Sequence, residues 1–140
     1  MSDAWTLDRV LTARTGEHPE RTVLVADGRA LTYAQVSTKA AALAAALAEL
    51  GIGTGDRIAI VMPNWPEWVI SLLAASKLGA TVVPVNPRLS YHELKYQLRH
   101  AEVSAVVALE HHHGVDYLQM FEDMIAELPD LLYLITVGGE

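Results

Sequence analysis

Three adjacent imidazoles, His111-His112-His113, are the most reactive cluster in the sequence, with Glu110 before them and Gly114 and Asp116 after. Imidazole is the commonest protein ligand for transition metals, so the triplet invites a metal-site reading. Neighbouring residues in a loop do not converge on one ion without a further ligand, however, and Glu110 and Asp116 are ordinary acids. The pattern therefore favours a surface cluster over a physiological metal site. Asn64, Asn86 and Arg88 stand just before predicted helices, where a loop can face an anion, but a solvated Arg88 accounts for its place equally simply. Trp65 and Trp68 are three apart and share a helical face, which suits core or interface packing better than a stacking platform for a ligand.

Gly51-Ile52-Gly53-Thr54-Gly55-Asp56 has the glycine content of a phosphate-binding loop. Its order is wrong, because such a loop follows a strand and opens a helix, whereas this one follows a helix and opens a strand. Asp56 also stands where a dinucleotide fingerprint needs its third glycine. A helix stop followed by a tight turn is the better reading. No Ser-His-Asp order and no pair of catalytic carboxylates is present, so no catalytic, cofactor-binding or metal-binding residue is assigned.

The elements that would position these residues alternate regularly. Trp5, Leu7, Val10 and Leu11 suggest one or two helical turns packed on the body, followed by a polar loop at 15–19. Thr22–Ala26 and Arg29–Thr32 flank Asp27-Gly28, a hairpin signal. Thr32 and Gln35 then form a capping box. The helix it opens carries Val36, Ala40, Leu43, Leu47 and Leu50 as one stripe, stopped by Gly51. Arg57–Met62 reads as a buried strand. Asn64 is the expected N-cap of a helix with Pro66 and Glu67 in its first turn, running apolar almost all round to Leu78 and Gly79. Thr81–Val85 is the next strand, and Ser90 with Glu93 forms a second capping box. Ser104–Leu109 reads as strand, Val115–Leu128 as helix and Leu131–Val137 as strand. Such alternation predicts an α/β fold: a parallel, doubly wound sheet with flanking helices, plus a small N-terminal β-hairpin. Residues 1–21 read as an N-terminal helix and loop, and residues 22–140 as an α/β subdomain. In open parallel sheets ligands bind beyond the carboxyl ends of the strands, which puts the loops at 63–65, 86–90 and 110–114 on one edge.

Bulk properties narrow the classes. A chain of 140 residues with 51% apolar content can build one core. A net charge of −7 argues against a nucleic-acid partner, which needs a basic surface. With no cysteine, disulfides and thiolate metal sites are excluded, and a reducing cytoplasm is the expected compartment. The start carries acids and no apolar signal core, and the longest apolar stretch, Val69–Val85, is broken by Lys77, Gly79 and Pro84, so no transmembrane segment is expected.

Several segments together resemble the AMP-forming adenylating enzymes, the superfamily of acyl-CoA synthetases, adenylation domains and luciferases. Leu31-Thr32-Tyr33-Ala34-Gln35-Val36 is similar to an L-[TS]-Y-x-E-L core, and the run from Ser76 to Pro87 to an L-K-A-G-x-A-Y-V-P-[IVL]-[DN]-P core. Between them, Gly55-Asp56-Arg57-Ile58-Ala59-Ile60 and Asn64-Trp65-Pro66-Glu67-Trp68 resemble the family's strand entry and helix start. Asn86-Pro87-Arg88-Leu89-Ser90 with Glu93-Leu94 resembles a run frequent in fatty acyl-CoA and related ligases. Gln35, Val36 and the Thr81-Val82-Val83 run depart from the commonest residues but keep the cap, the stripe and the strand.

The resemblance implies the N-terminal segment of an acid–CoA ligase. Such an enzyme activates a carboxylic acid, here of the fatty class, to an acyl-adenylate and then to acyl-CoA. ATP, Mg2+ and coenzyme A are implied for the full-length enzyme, and none is expected to be bound by this segment alone. The family's T-S-G-T-T-G-x-P-K-G loop, its aromatic-Gly-x-Thr-Glu segment, its ribose-binding Asp and its catalytic Lys have no counterpart in these residues, so the segment is expected to be scaffold and inactive in isolation. The alternatives are a stand-alone α/β binding or interaction module, and a metal-responsive domain using the histidine triplet. An unpaired sheet edge and an uncovered face would open a route to a homo-dimer.

Overall fold

The computed structural model describes residues 5–138, so residues 1–4 of the expected N-terminal segment 1–21 and Gly139-Glu140 of the expected subdomain 22–140 lie outside the described residues. The described chain falls into two compact units, one formed by the residues up to Thr54 together with Trp65–Ala80, the other by Gly55–Asn64 together with the residues from Thr81 onward. None of the described helices is long and apolar enough to cross a membrane.

The first unit is built from helices and a hairpin. Helix α1 (Leu7–Glu17) is longer than the one or two turns expected, because Thr6 caps it by accepting the Arg9 N–H at 3.2 Å and Thr15 bonds back to the Leu11 carbonyl. The expected packing of its apolar residues reduces to Leu11 alone; Trp5 is 87% exposed and Leu7 50%. Strands β1 (Thr22–Ala26) and β2 (Arg29–Thr32) form the predicted antiparallel hairpin. Asp27 and Gly28 at its tip have φ of 48° and 74°, the double left-handed geometry that the Asp-Gly pair tolerates. Helix α2 (Tyr33–Glu49) opens on the expected capping box: Thr32 Oγ1 accepts the Gln35 N–H, and the Gln35 side chain accepts the Thr32 N–H.

The stop of α2 is a Schellman turn. The Ile52 N–H reaches the Leu47 carbonyl and the Gly51 N–H the Ala48 carbonyl, with Gly51 at φ 86°. Ile52 in that turn is buried, and Leu50, expected on the stripe, is 39% exposed. Helix α3 (Pro66–Leu78) ends the same way at Gly79, φ 70°. Asn64 is not its N-cap. A proline disfavours helical backbone in the residue before it, so Pro66 holds Trp65 extended and Trp65 occupies the cap position with no side-chain cap bond. Leu11, Leu31, Val36 and Ile70 form the unit's core, with Leu24, Tyr33, Leu43 and Leu73 packed against it, so α1, the hairpin, α2 and α3 each contribute.

The second unit holds the parallel sheet. Strands β3 (Arg57–Val61), β4 (Thr81–Val85), β5 (Ala105–Leu109) and β8 (Tyr133–Val137) lie in the order β4-β3-β5-β8, all parallel. Ile58–Val61 and all of β5 are buried, as central strands of an α/β sheet must be. Pro84 lacks an N–H for a ladder and sits on β4, an outer strand. Helix α4 (Tyr91–His100) starts on the second capping box, Ser90 with Glu93, and buries Leu94 and Leu98. It ends with Glu102 at φ 52°, while the Val103 N–H reaches back to Leu98 and the Glu102 N–H to Arg99.

After β5 the chain differs from expectation. His111–His112 (β6) and Val115–Asp116 (β7) form a minimal antiparallel hairpin over His113 and Gly114, both left-handed at φ 48° and 78°. Helix α5 therefore spans only Tyr117–Met124, with Asp116 as its N-cap, and a 3-10 turn covers Ile125–Glu127. Phe121 and Met124 are fully buried, and α5 packs on β5.

Candidate functional site

In the second unit the strand order reverses around β3: the chain steps from β3 out to β4, then returns to β5 on the other side. In open α/β sheets such a reversal parts the loops after the two neighbouring strands, here β3 and β5, and the carboxyl edge beside it is where ligands bind. The residues on this edge are Met62–Asn64 after β3, the loop 86–90 after β4, and the Glu110–Asp116 hairpin after β5. Asn86, Arg88 and the histidines thus share one edge, as the topology predicts. Asn64 is exposed there but caps nothing.

Local bonds make the loop 86–90 rigid. Asn86 Oδ1 accepts the Arg88 N–H at 2.9 Å, and the Asn86 carbonyl accepts the Leu89 N–H at 3.3 Å. The Ser90 N–H donates to Glu93 Oε2 at 2.8 Å. Pro87 has no N–H, and its carbonyl accepts from the Tyr117 hydroxyl at 2.8 Å. Tyr117 is 6% exposed, so a buried phenol at the start of α5 holds this loop. Sequence reasoning missed Tyr117. The only signal was an aromatic with a polar tip in an otherwise apolar helical stripe, which wants a partner when buried.

The carboxylates of the edge are each engaged. Glu110 Oε1 accepts from Thr136 Oγ1 of β8 at 2.7 Å, and its carbonyl accepts the Tyr117 N–H. Asp116 caps α5 by accepting the Gln119 N–H at 2.9 Å and lies 3.5 Å from His111 Nε2. Glu93 accepts the backbone N–H and then the hydroxyl of Ser90, which holds its carboxyl below the usual value. The rings of His112 and His113 lie 3.9 Å apart, tilted against each other. Among the described residues no three His, Cys, Asp or Glu side chains are grouped so that they could hold a metal ion. The geometry therefore does not assemble the histidine triplet into a metal centre, nor a carboxylate set for Mg2+.

Farther along α4, Glu127 accepts from Lys95 Nζ at 2.9 Å and from the Tyr91 hydroxyl at 3.3 Å, and Lys95 stands 5.3 Å from the centre of the Tyr91 ring. The Lys95 bond and charge lower the Glu127 carboxyl. Burial of Tyr91, then the Glu127 charge, raises the Tyr91 phenol. This cluster joins α4 to the turn after α5.

Gly51–Asp56 does not have the backbone arrangement of a phosphate loop. Helix α2 ends into it, so it receives helix carbonyls and not helix amides.

Comparison with known proteins places this fold. The family model described as AMP-binding enzyme matches residues 11–136. The chain is 40% identical over 105 residues to a long-chain-fatty-acid–CoA ligase of Bacillus subtilis (strain 168), covering 75% of this chain and 19% of that protein. It is 32% identical over 125 residues to the mitochondrial medium-chain acyl-CoA ligase ACSF2 of Danio rerio, covering 88% and 21%. The chain thus spans about a fifth of the length of these relatives. Among solved structures, the anthranilate CoA ligase AuaEII in complex with anthranoyl-AMP superposes with a TM-score of 0.87 at 25% identity, over 98% of this chain and 26% of that one. The inhibitor-bound N-terminal domain of FACL13 from Mycobacterium tuberculosis gives 0.85 at 27%, over 96% and 34%. With one family match running from α1 into β8 through both units, the chain belongs to the AMP-binding enzymes, as an N-terminal segment of the AMP-forming acyl-CoA synthetase superfamily.

Proposed function

We propose that this chain is the scaffold segment of an AMP-forming acid–CoA ligase that activates a fatty or related carboxylic acid. In that reaction a carboxylate oxygen attacks the α-phosphorus of ATP and pyrophosphate leaves. The thiol of coenzyme A then attacks the acyl carbon and AMP leaves. Both steps need dense positive charge and aligned donors around a crowded anion. The residues here supply the platform for such groups: two buried parallel strands, a reversal of strand order, and a braced loop at the carboxyl edge. The groups that do the chemistry are assigned to segments outside these residues, as is a Mg2+ site, since no three suitable ligands come together among the described residues. Cytoplasmic residence goes with this reading.

The observation that carries the proposal is the family match over residues 11–136, together with 40% identity to a long-chain-fatty-acid–CoA ligase. The test is a chimera in which this chain replaces the matching segment of the Bacillus subtilis ligase. It is expected to form acyl-CoA from a long-chain acid, ATP and coenzyme A, whereas the 140-residue chain alone exchanges no pyrophosphate into ATP. A chimera that folds but forms no acyl-CoA would return the chain to a binding module. Pyrophosphate exchange by the isolated chain would overturn the assignment of the chemistry to other segments.

A further inference from the structure

An outer strand can accept another chain, because every second residue points its N–H and C=O away from the sheet. Among the described residues, five of the six outer edges carry a device against this. Strand β1 has an irregularity between Thr22 and Leu24. Strand β2 has four residues, and its Arg29 is tied to Glu67 at 2.9 Å. Strand β4 contains Pro84, which has no N–H to offer. Strands β6 and β7 have two residues each. Strand β8 is the exception: its five residues, Tyr133–Val137, include no proline and no charge and run in unbroken register against β5.

The surroundings of this edge point to what joins it. All five residues of β8 are partly exposed, in contrast to fully buried β5 beside it, and Leu132 just before is 69% exposed. Residues 131–138 carry no charged side chain, in a chain of net charge −7. Two copies of an acidic chain repel each other, and an uncharged edge is where that repulsion is least. An antiparallel pair of identical strands is also two-fold symmetric, so the same residues serve on both sides. At the other end of the sheet Pro84 blocks β4, so pairing closes at two copies.

We infer that β8 is the interaction surface for a second copy of this chain, the two strands pairing antiparallel, edge to edge, so that the two four-stranded sheets become one. Leu132 and the apolar side chains of β8 then cover their counterparts on the copy. The inference does not rest on the ligase reading, since it concerns this chain paired with itself.

The experiment uses the 140-residue chain in sedimentation equilibrium from about 1 to 500 µM, with amide hydrogen exchange at both ends of that range. The mass is expected to rise from 15.2 kDa towards twice that value and no further. The outward amides of β8 should exchange more slowly at high concentration, by roughly threefold or more, while those of β3, already inside the sheet, should not change. Lysine at both ends of the strand, Leu132→Lys with Val137→Lys, places like charges across the two-fold axis and should weaken the dimer by roughly tenfold or more. Urea unfolding of dilute samples checks that the variant folds; Leu132→Lys alone, at an exposed position, carries the test if the double variant does not. Tyr96→Lys, on the exposed side of α4 at 67% exposure, should leave the dimer unchanged. A dimer indifferent to Leu132→Lys, or one that Tyr96→Lys weakens equally, would overturn the assignment to β8. A chain that stays monomeric, with fast exchange in β8 at every concentration, would overturn the second copy and leave this edge to another partner. None of these outcomes bears on acyl-CoA formation by the chimera, so the two proposals fail separately.

Discussion

Replacing Gly79 by alanine tests how α3 hands over to β4, and the structure gives the size of the effect in two parts. Gly79 has φ of 70°, a conformation that costs an L-residue about 1–2 kcal/mol. Alanine would recover about 0.5–1 kcal/mol of that by narrowing the unfolded ensemble. The second part is contact. A Cβ at this position would stand 2.8 Å from Thr54 Oγ1, closer than Cβ atoms approach any heavy atom. The Thr54 hydroxyl donates to the Leu78 carbonyl at 3.4 Å and has to give way, forfeiting a weak hydrogen bond of at most about 1 kcal/mol. Gly79→Ala should therefore cost about 1.5–2 kcal/mol in the parent chain and about 0.5–1 kcal/mol in a Thr54→Ala background. Urea unfolding of the four chains of this cycle measures the difference, with the slope of the transition checked for constancy. A neutral Gly79→Ala, or the same cost in both backgrounds, would refute the reasoning.

Two further outcomes follow from local geometry. Glu102 occupies the left-handed position after α4 at φ 52°, and its ion pair with Arg57 is long and exposed, so Glu102→Gly should raise stability by about 0.5 kcal/mol; a lower urea midpoint would contradict this. Glu93 and Glu127 have carboxyls lowered from 4.5, the first by the Ser90 N–H and hydroxyl, the second by Lys95. Their folded forms bind protons less readily than the unfolded chain, so their contribution is complete above the unfolded value and is lost as pH falls through and below it. The urea midpoint should drop across that acid range, and less steeply in a Glu93→Gln, Glu127→Gln variant; identical slopes would remove these two groups from the account.

What could be read from the sequence was what depends on near neighbours. Thr32 with Gln35 and Ser90 with Glu93 are capping boxes because the partners lie one turn apart, and Asp27-Gly28 makes its turn from two residues. Short apolar runs between helical stretches located the four parallel strands, though not their order, because pairing of β3 with β5 depends on which faces are buried across long separations. Asn64 misled because its own propensity was weighed without the effect of Pro66 on Trp65. The hairpin at His111–Asp116 went unread because His113 is a less common left-handed residue than Asn or Gly. At the carboxyl edge the sequence indicated which residues would share it, but not the Tyr117–Pro87 and Thr136–Glu110 bonds that hold it together, since these link elements with no local pattern between them.

The central place of β3 also has a consequence for synthesis. Ile58 is opposite Val82 on one side and Ala105 on the other, so the first strand of the sheet to leave the ribosome has to wait for both neighbours. Until Leu109 has emerged, the apolar Ile58–Val61 run lacks one of its two strand neighbours, and β8 can add only after that. Such non-local closure is slow and leaves an aggregation-prone strand exposed meanwhile. A nascent chain stalled before Ala105 is therefore the species most in need of a chaperone, and the hairpin, α1 and α2, which precede β3, are free to form while it waits.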